Sequence, residues 1–288
     1  MRKSLIIIII IAVFGLAFKN DKPAYSLFTA DGKAVSYNNM VKELEKADLV
    51  FFGELHDDPI GHWLELEITK DLFKTKKQDL VLAAEMFESD NQVILTEYLE
   101  GEISQKSFES EARIWPNYKT DYKPLVEFAK KNELVFVASN VPRRYASAVN
   151  KGGFEILDSL SDEAKCFLPP LPVKYDSTVN CYAEMLKMKD MDSHITSNFP
   201  KAQAIKDATM AHFIMENWTK GKLVIHYNGS YHSNNFEGII WYIRQTHPNL
   251  KILSIANEKQ SDLNELEEEN KNLASYILIV PDSMTKTR

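Results

Sequence analysis

The chain has 288 residues, 44% hydrophobic and 26% charged, with a formal net charge of −7 at pH 7. That length accommodates one large α/β domain or two small ones, and nothing in the composition points to disorder or low complexity. An acidic balance without a basic stripe argues against nucleic acid as a partner.

The first segment differs in kind from the rest. Met1-Arg2-Lys3 is basic and Leu5 to Phe18 is almost wholly apolar, the pattern of the n- and h-regions of an export signal. The apolar run is shorter than the roughly 20 residues a spanning helix needs. Residues 1–20 are therefore read as an export signal or an uncleaved N-terminal anchor. Either implies a periplasmic or cell-envelope location, with membrane association through this segment in the second case. No Cys lies near the end of the apolar run, which argues against a lipoprotein. In an oxidising compartment Cys166 and Cys181 either pair, closing a loop worth about 3 kcal/mol, or remain two thiols.

Ala24 to Phe28, the turn Asp31-Gly32-Lys33 and Ala34 to Tyr37 predict a hairpin. Asn38 or Asn39 then caps a short helix reaching Lys46. Leu49 to Phe52 is the first core strand and Pro59 to Lys76 the helix after it. Asp79 to Ala84 is the second strand, ending at Glu85. Ser89-Asp90 is placed to cap a helix through Tyr98. Residues 101–121 have an irregular helical pattern broken at Trp115-Pro116, and Tyr122 to Lys131 is helical. Leu134 to Ala138 is the third strand, ending at Ser139-Asn140, and Pro142 opens a helix to Val149.

Residues 151–200 are interrupted by Pro169, Pro170 and Pro172 and predict several short helices. Lys201 to Lys220 is a long helix stopped by Gly221. Leu223 to Tyr227 is the fourth strand, Phe236 to Gln245 a helix, and Lys251 to Ile255 and Tyr276 to Val280 two late strands. Strands alternating with amphipathic helices define an α/β fold, with a mostly parallel central sheet flanked by helices. The expected organisation is a single domain over 24–288. Helical insertions at about 87–120 and 151–220 form a cap or side lobe over the strand ends.

Open α/β sheets place their chemistry just beyond the C-terminal ends of their strands, and four strands here end in polar residues. The first ends in Gly53-Glu54-Leu55-His56-Asp57, the second in Glu85, the third in Asn140 followed by Arg143, and the fourth in Gly229-Ser230-Tyr231-His232. The Gly-x-x-His spacing occurs twice. Glu54, His56, Glu85 and His232 on one rim are donors of the type that hold a divalent or ferric ion. The same four residues equally suit general acid–base work, with Glu orienting His.

His62, six residues past His56, either faces the same cleft or covers a helix face. His226 lies inside a strand and His212 beside Met210 and Phe213, both packing positions; His194 and His247 are expected at the surface. Arg143 and Arg144 open a helix, where the dipole disfavours cations, so a bound anion such as a carboxylate is the expected reason for them. Trp115, Tyr118, Tyr122 and Tyr145 supply aromatic groups nearby, and Tyr is one of the residues that ligate haem iron. There is no Gly-x-Gly-x-x-Gly, P-loop or His-Glu-x-x-His, and Asn228 and His232 stand where a nucleophile elbow needs glycines.

Taken together these segments resemble the ChaN family of haem-binding uptake proteins, within the wider group that includes Tiki, TraB and erythromycin-esterase-like proteins. The resemblance rests on Phe52-Gly53-Glu54-Leu55-His56-Asp57 with His62, Ala84-Glu85-Met86-Phe87, and Tyr122 to Ala129. It continues with Ala138-Ser139-Asn140-Val141-Pro142-Arg143, Ala202-Gln203 with Asp207 to Ala211, and Gly229-Ser230-Tyr231-His232. It implies an exported protein that binds haem and serves iron acquisition, with haem held at a homodimer interface by a Tyr on iron and basic groups on the propionates. The candidate haem-binding residues are His56, His62, Tyr122, Asn140, Arg143, Tyr145, Tyr231 and His232. The wider group implies the alternative, a metal-dependent hydrolase in which a divalent metal ion and catalysis both use Glu54, His56, Glu85 and His232.

Overall fold

The computed structural model describes residues 22–188 and 196–287. The predicted leader and His194 lie outside the described residues. Seven strands form one sheet: β1 Ser26–Thr29, β2 Leu49–Glu54, β3 Leu80–Glu88, β4 Phe136–Asn140, β5 Leu223–Gly229, β6 Ile252–Gln260 and β7 Tyr276–Pro281, in the spatial order β1-β7-β6-β2-β5-β3-β4. Every pairing is parallel except β1 with β7. All six residues of β2 and all seven of β5 are buried, as expected of central parallel strands covered on both faces.

Side chains alternate between the two faces of a strand, and the two cores separate accordingly. Val50, Phe52, Leu80, Leu82, Ile225 and Tyr227 pack with Leu64, Ile68 and Leu72 of the helix Pro59–Lys76. Leu49, Phe51, Val81, Ala83 and Val224 pack on the other face with Met210, Ala211 and Ile214 of a later helix and with Ile239, Ile240 and Ile243. Helix α1 is Tyr37–Leu44, capped by Ser36 rather than by Asn38 or Asn39, and α2 is Pro59–Lys76. Asp58 caps α2, accepting from the Ile60 and Gly61 amides, and it also accepts from Asn257 Nδ2 at 2.7 Å. A Cβ at position 61 would collide with the Asn257 amide, so glycine lets the first turn of α2 seat against β6.

After β3 come a 3-10 turn at Ser89–Asn91, α3 Gln92–Glu100, α4 Gln105–Glu111, a π-helical turn at Tyr118–Tyr122 and α5 Lys123–Lys131. Ser89 does not cap α3; its hydroxyl donates to the Phe167 carbonyl. Helix α6 is Arg143–Gly152, followed by the short α7 Asp162–Lys165, α8 Asn180–Met188 and the long α9 Phe199–Asn217; α10 Ile239–Thr246 follows β5. Helix α9 lies flat against the sheet as a layer helix of the second core. It ends at Asn217 because Trp218 is extended, and Gly221, at φ +103°, makes the turn into β5.

One further expectation is corrected and one open alternative is decided. The N-terminal hairpin reduces to a single bridge between Phe28 and Ala34, because β1 pairs instead with β7 and buries Leu27 and Phe28 there. Cys166 and Cys181 are free thiols. Cys166 is exposed at the end of α7, whereas Cys181 is held in the first turn of α8 by the hydrogen bond its backbone N–H donates to the Glu237 carboxylate at 2.7 Å.

Candidate functional site

The C-terminal ends of β2, β3, β4 and β5 open into a cleft of about 1010 Å³, a volume in the range of small-molecule and cofactor sites. Glu54, His56, Glu85, Asn140, Arg143, Tyr231 and His232 all line it. Leu55, Ile114, Trp115 and Val141 give it apolar walls, and Arg113, Arg144, Gln203 and Lys206 add polar groups. The segment after α4 supplies one wall through Arg113 and Trp115; α9 supplies the opposite one.

The four rim donors do not form one cluster. Glu54 has the parity of Val50 and Phe52 and turns to the α2 face; Glu85 has the parity of Val81 and Ala83 and turns to the α9 face. Each carboxylate builds its own network. Glu54 Oε1 accepts from the Tyr122 hydroxyl at 2.7 Å and lies 2.6 Å from His56 Nδ1. Burial alone would raise the Glu54 carboxyl, but the imidazoles of His56 and His62 hold it well below the usual carboxylate range. A carboxylate can only accept, so His56 Nδ1 carries the proton and donates. The His56 ring lines the cleft, 4.9 Å from Trp115. Burial pulls His56 down and its bond to Glu54 more than compensates, so its affinity for a proton is raised.

Behind Glu54 lie His62 and Glu65 of α2, 5% and 0% exposed. His62 Nε2 is 3.5 Å from Glu54 Oε2 and its Nδ1 is 3.4 Å from Asp121 Oδ2, contacts that do not reach hydrogen-bond geometry. Burial and the neighbouring Glu54 charge push the Glu65 carboxyl well above its ordinary range.

On the α9 face, His232 Nε2 is 3.3 Å from Glu85 Oε1 and its Nδ1 is 2.5 Å from Asp207 Oδ1, while the Tyr182 hydroxyl donates to Asp207 Oδ2 at 2.7 Å. Burial disfavours the imidazolium, yet the charges of Glu85 and Asp207 outweigh it and raise His232 to about 10. Glu85 moves the other way: burial raises it, and the charges of His232 and His56 bring it to about 2. A register shift in the β3–β4 ladder between Ala84 and Glu88 accompanies this, a local device that re-aims side chains next to sites. Glu85 Oε2 also accepts from the Gly229 amide at 2.8 Å.

Gly229 stands opposite Glu54 in the β2–β5 ladder. A Cβ there would sit 2.7 Å from His56 Nε2 and 3.0 Å from its Cε1, so the imidazole packs directly on bare backbone. Gly229→Ala is expected to swing His56 out of place and cost about 1–3 kcal/mol, as overpacking does. Chemical denaturation reads the cost, and an unchanged His56 NMR environment would speak against the contact.

Three sequence-predicted candidates lie elsewhere. His62 faces the buried underside of Glu54 rather than the cleft. Tyr122 is 1% exposed with its hydroxyl committed to Glu54. Tyr145 is buried in a side cluster with Val149 and Leu157, under the Arg144 guanidinium at 4.4 Å. Tyr231, 67% exposed at the rim, is the accessible tyrosine of the candidates. The Arg pair is split as well: Arg144 pairs with Asp90 at 2.5 Å, and Arg113 pairs with Glu88 and Asp90. Arg143 and Lys206 make no salt bridge among the described residues. His226 packs inside the sheet against Ser139 and Asn228, and burial lowers it to about 4. His212 and His247 are half-buried.

Asp207, Tyr182, Asp121, Glu65 and Lys206 were not assigned roles from sequence. Asp207 and Lys206 sit on a helix with ordinary apolar spacing, and only the packing of α9 against the sheet brings Asp207 to His232 and Lys206 to the cleft.

Residues 40–243 match the family described as haem-binding uptake, Tiki superfamily, ChaN. Among solved structures, the chain is similar to ChaN of Campylobacter jejuni, described for cofacial haem binding, at 19% identity, covering 89% of this chain and 96% of that one with a TM-score of 0.65. At lower similarity it matches the type III effector HopBA1 (14% identity, 85% and 92% covered, TM-score 0.47) and a Bacillus cereus protein (10% identity, 86% and 92% covered, TM-score 0.47). No curated protein matches the chain.

Proposed function

The chain belongs to the haem-binding uptake ChaN family of the Tiki superfamily, and from that premise we propose that it binds haem in the strand-end cleft as an exported protein of iron acquisition. One observation carries this reading. His56 is locked through Nδ1 to the Glu54 carboxylate and lines a large cleft with apolar walls and two cations free of salt bridges among the described residues. A carboxylate on the far ring nitrogen fixes the tautomer and raises the basicity of a ligating imidazole. The residues fit the group. His56 Nε2 and the exposed Tyr231 hydroxyl are the available iron donors, Leu55, Ile114, Trp115 and Val141 suit the porphyrin face, and Arg143 and Lys206 suit the propionates. When bound, haem supplies the iron whose acquisition this reading invokes.

Cofacial binding, described for the Campylobacter jejuni protein, would pair two copies of this chain across the mouth of the cleft as a homodimer. The leader at residues 1–20 would deliver the protein to the periplasm or cell envelope, whether cleaved or kept as an anchor. No helix among the described residues is long and apolar enough to cross a membrane.

Haem titration of the purified protein tests the proposal. A Soret shift that saturates is the expected result, and unchanged spectra would overturn it. His56→Ala and Tyr231→Phe separate the two iron donors, because loss of the tyrosinate or imidazole signature identifies which one is used. Arg143→Ala is expected to weaken binding roughly tenfold, the order of one charge-assisted hydrogen bond. Sedimentation with and without haem reads the dimer.

A further inference from the structure

We propose that Glu54, His62 and Glu65 form a buried divalent-cation site behind the cleft, distinct from the haem-binding groups and sharing only Glu54 with them. One donor atom from each of the three lies within 4.8 Å of the others. The residues are 1%, 5% and 0% exposed. Glu54 Oε2, both ring nitrogens of His62 and both carboxylate oxygens of Glu65 have no hydrogen-bond partner. Buried polar atoms are nearly always paired, and three neighbouring residues that leave donor atoms this close together unpaired mark a ligand site rather than a packing accident.

The chemistry of the set is specific. His62 and Glu65 are three apart on α2 and so share one helix face, and β2 brings Glu54 against that face. Two carboxylates and one imidazole are an oxygen–nitrogen donor set suited to Zn²⁺ or Mn²⁺. Their two negative charges would be neutralised by one divalent ion, whereas two carboxyl groups buried together without a cation are costly.

The surroundings hold the donors in place. The Tyr122 hydroxyl and His56 both engage Glu54 Oε1, which leaves Oε2 for the buried side. Asp121 faces His62 Nδ1 and is itself held by Asn117 Nδ2 at 2.6 Å and Thr287 Oγ1 at 3.0 Å. This is the outer carboxylate–imidazole arrangement common around metal ligands. The two faces of Glu54 would couple the sites: an ion on Oε2 draws charge from the carboxylate that orients His56.

The test uses the full chain, stripped with a chelator, dialysed against Zn²⁺ or Mn²⁺ and passed through gel filtration. Metal content is read by elemental analysis and Tm by scanning fluorimetry. The expected result is one ion per chain and a higher Tm with metal. Glu65→Gln keeps the shape and removes one carboxylate donor, so it should fold, yet lose metal affinity at least roughly tenfold. Its Soret response should persist, because Glu65 itself does not line the cleft. His232→Gln should keep the ion. Wild-type protein that retains no ion overturns the proposal, as does stoichiometric metal in Glu65→Gln or its loss in His232→Gln. A failed haem titration leaves the metal result standing, since the measurement is made without haem.

Discussion

Replacing Glu54 by Ala is expected to cost about 3–5 kcal/mol of unfolding free energy, the order found when one member of a buried charged set is removed. The change strips the acceptor from the Tyr122 hydroxyl, the counter-charge from His56 and the nearest anion from His62, in a residue only 1% exposed. It also frees His56 to rotate and to take either tautomer. Haem affinity should therefore fall by about 10–100-fold, the usual loss when the group orienting a ligating His is removed. Glu54→Gln retains an oxygen for Tyr122 but no charge for His56, so it should recover much of the stability and little of the affinity. Urea unfolding and Soret titration on the two variants separate these effects. A stability loss below about 1 kcal/mol in Glu54→Ala would show that Glu54 is not the anchor of this network.

Asp207→Ala is the matching change on the α9 face, with a stability cost of the same order, about 3–5 kcal/mol. It leaves the Tyr182 hydroxyl without its acceptor and His232 with Glu85 alone. The pH dependence carries a sign that can be worked out. His232 is raised from 6.5 to about 10, so its contribution is complete below about 6.5 and is lost as pH rises through about 10. Glu85 is lowered from 4.5 to about 2, so its contribution is complete above about 4.5 and is lost as pH falls through about 2. Both are complete between about pH 4.5 and 6.5, and this network is most stabilising there. In Asp207→Asn the alkaline loss should begin at the same pH but finish well below 10, since one of the two anions holding the imidazolium is gone. Tm profiles from pH 4 to 10 check this. Superimposable alkaline limbs for wild type and Asp207→Asn would rule out Asp207 as the second anion.

Much of the architecture was legible because its signals are local. Pro59 at the first turn and the apolar spacing up to Lys76 mark α2 with the bounds the structure has. The apolar runs of β2, β3 and β5, each closed by polar residues, mark the strands and the rim on which Glu54, Glu85 and His232 stand. Misreadings arose where a distant partner wins over a local preference. Ser26–Thr29 has a hairpin turn after it but pairs with β7, whose apolar Ile277 and Leu278 offer a better ladder. Tyr122 and Tyr145 are equivalent in sequence as aromatic candidates, and both are drawn inward, one by the Glu54 carboxylate and one by the apolar side cluster. The sequence leaves open whether the cysteines pair, because nothing in their spacing reveals that one ends α7 and the other opens α8.

The sequence by itself determined the parallel α/β sheet, the strand ends that carry chemistry and the family the chain resembles, because periodicity, turn residues and short motifs act over a few neighbours. Tertiary structure alone decided what those strand ends do together. Strand parity sends Glu54 and Glu85 to opposite faces of the sheet, and each then finds partners from different helices: His62 and Glu65 from α2, Asp207 from α9. One rim of four donors thereby becomes two Glu–His networks, one joined to a buried donor set and one to a charged relay. Such contacts bring together residues far apart in the chain, 144 positions in the bond from Gly229 to Glu85 and 166 in that from Thr287 to Asp121, and no local pattern in the chain encodes them.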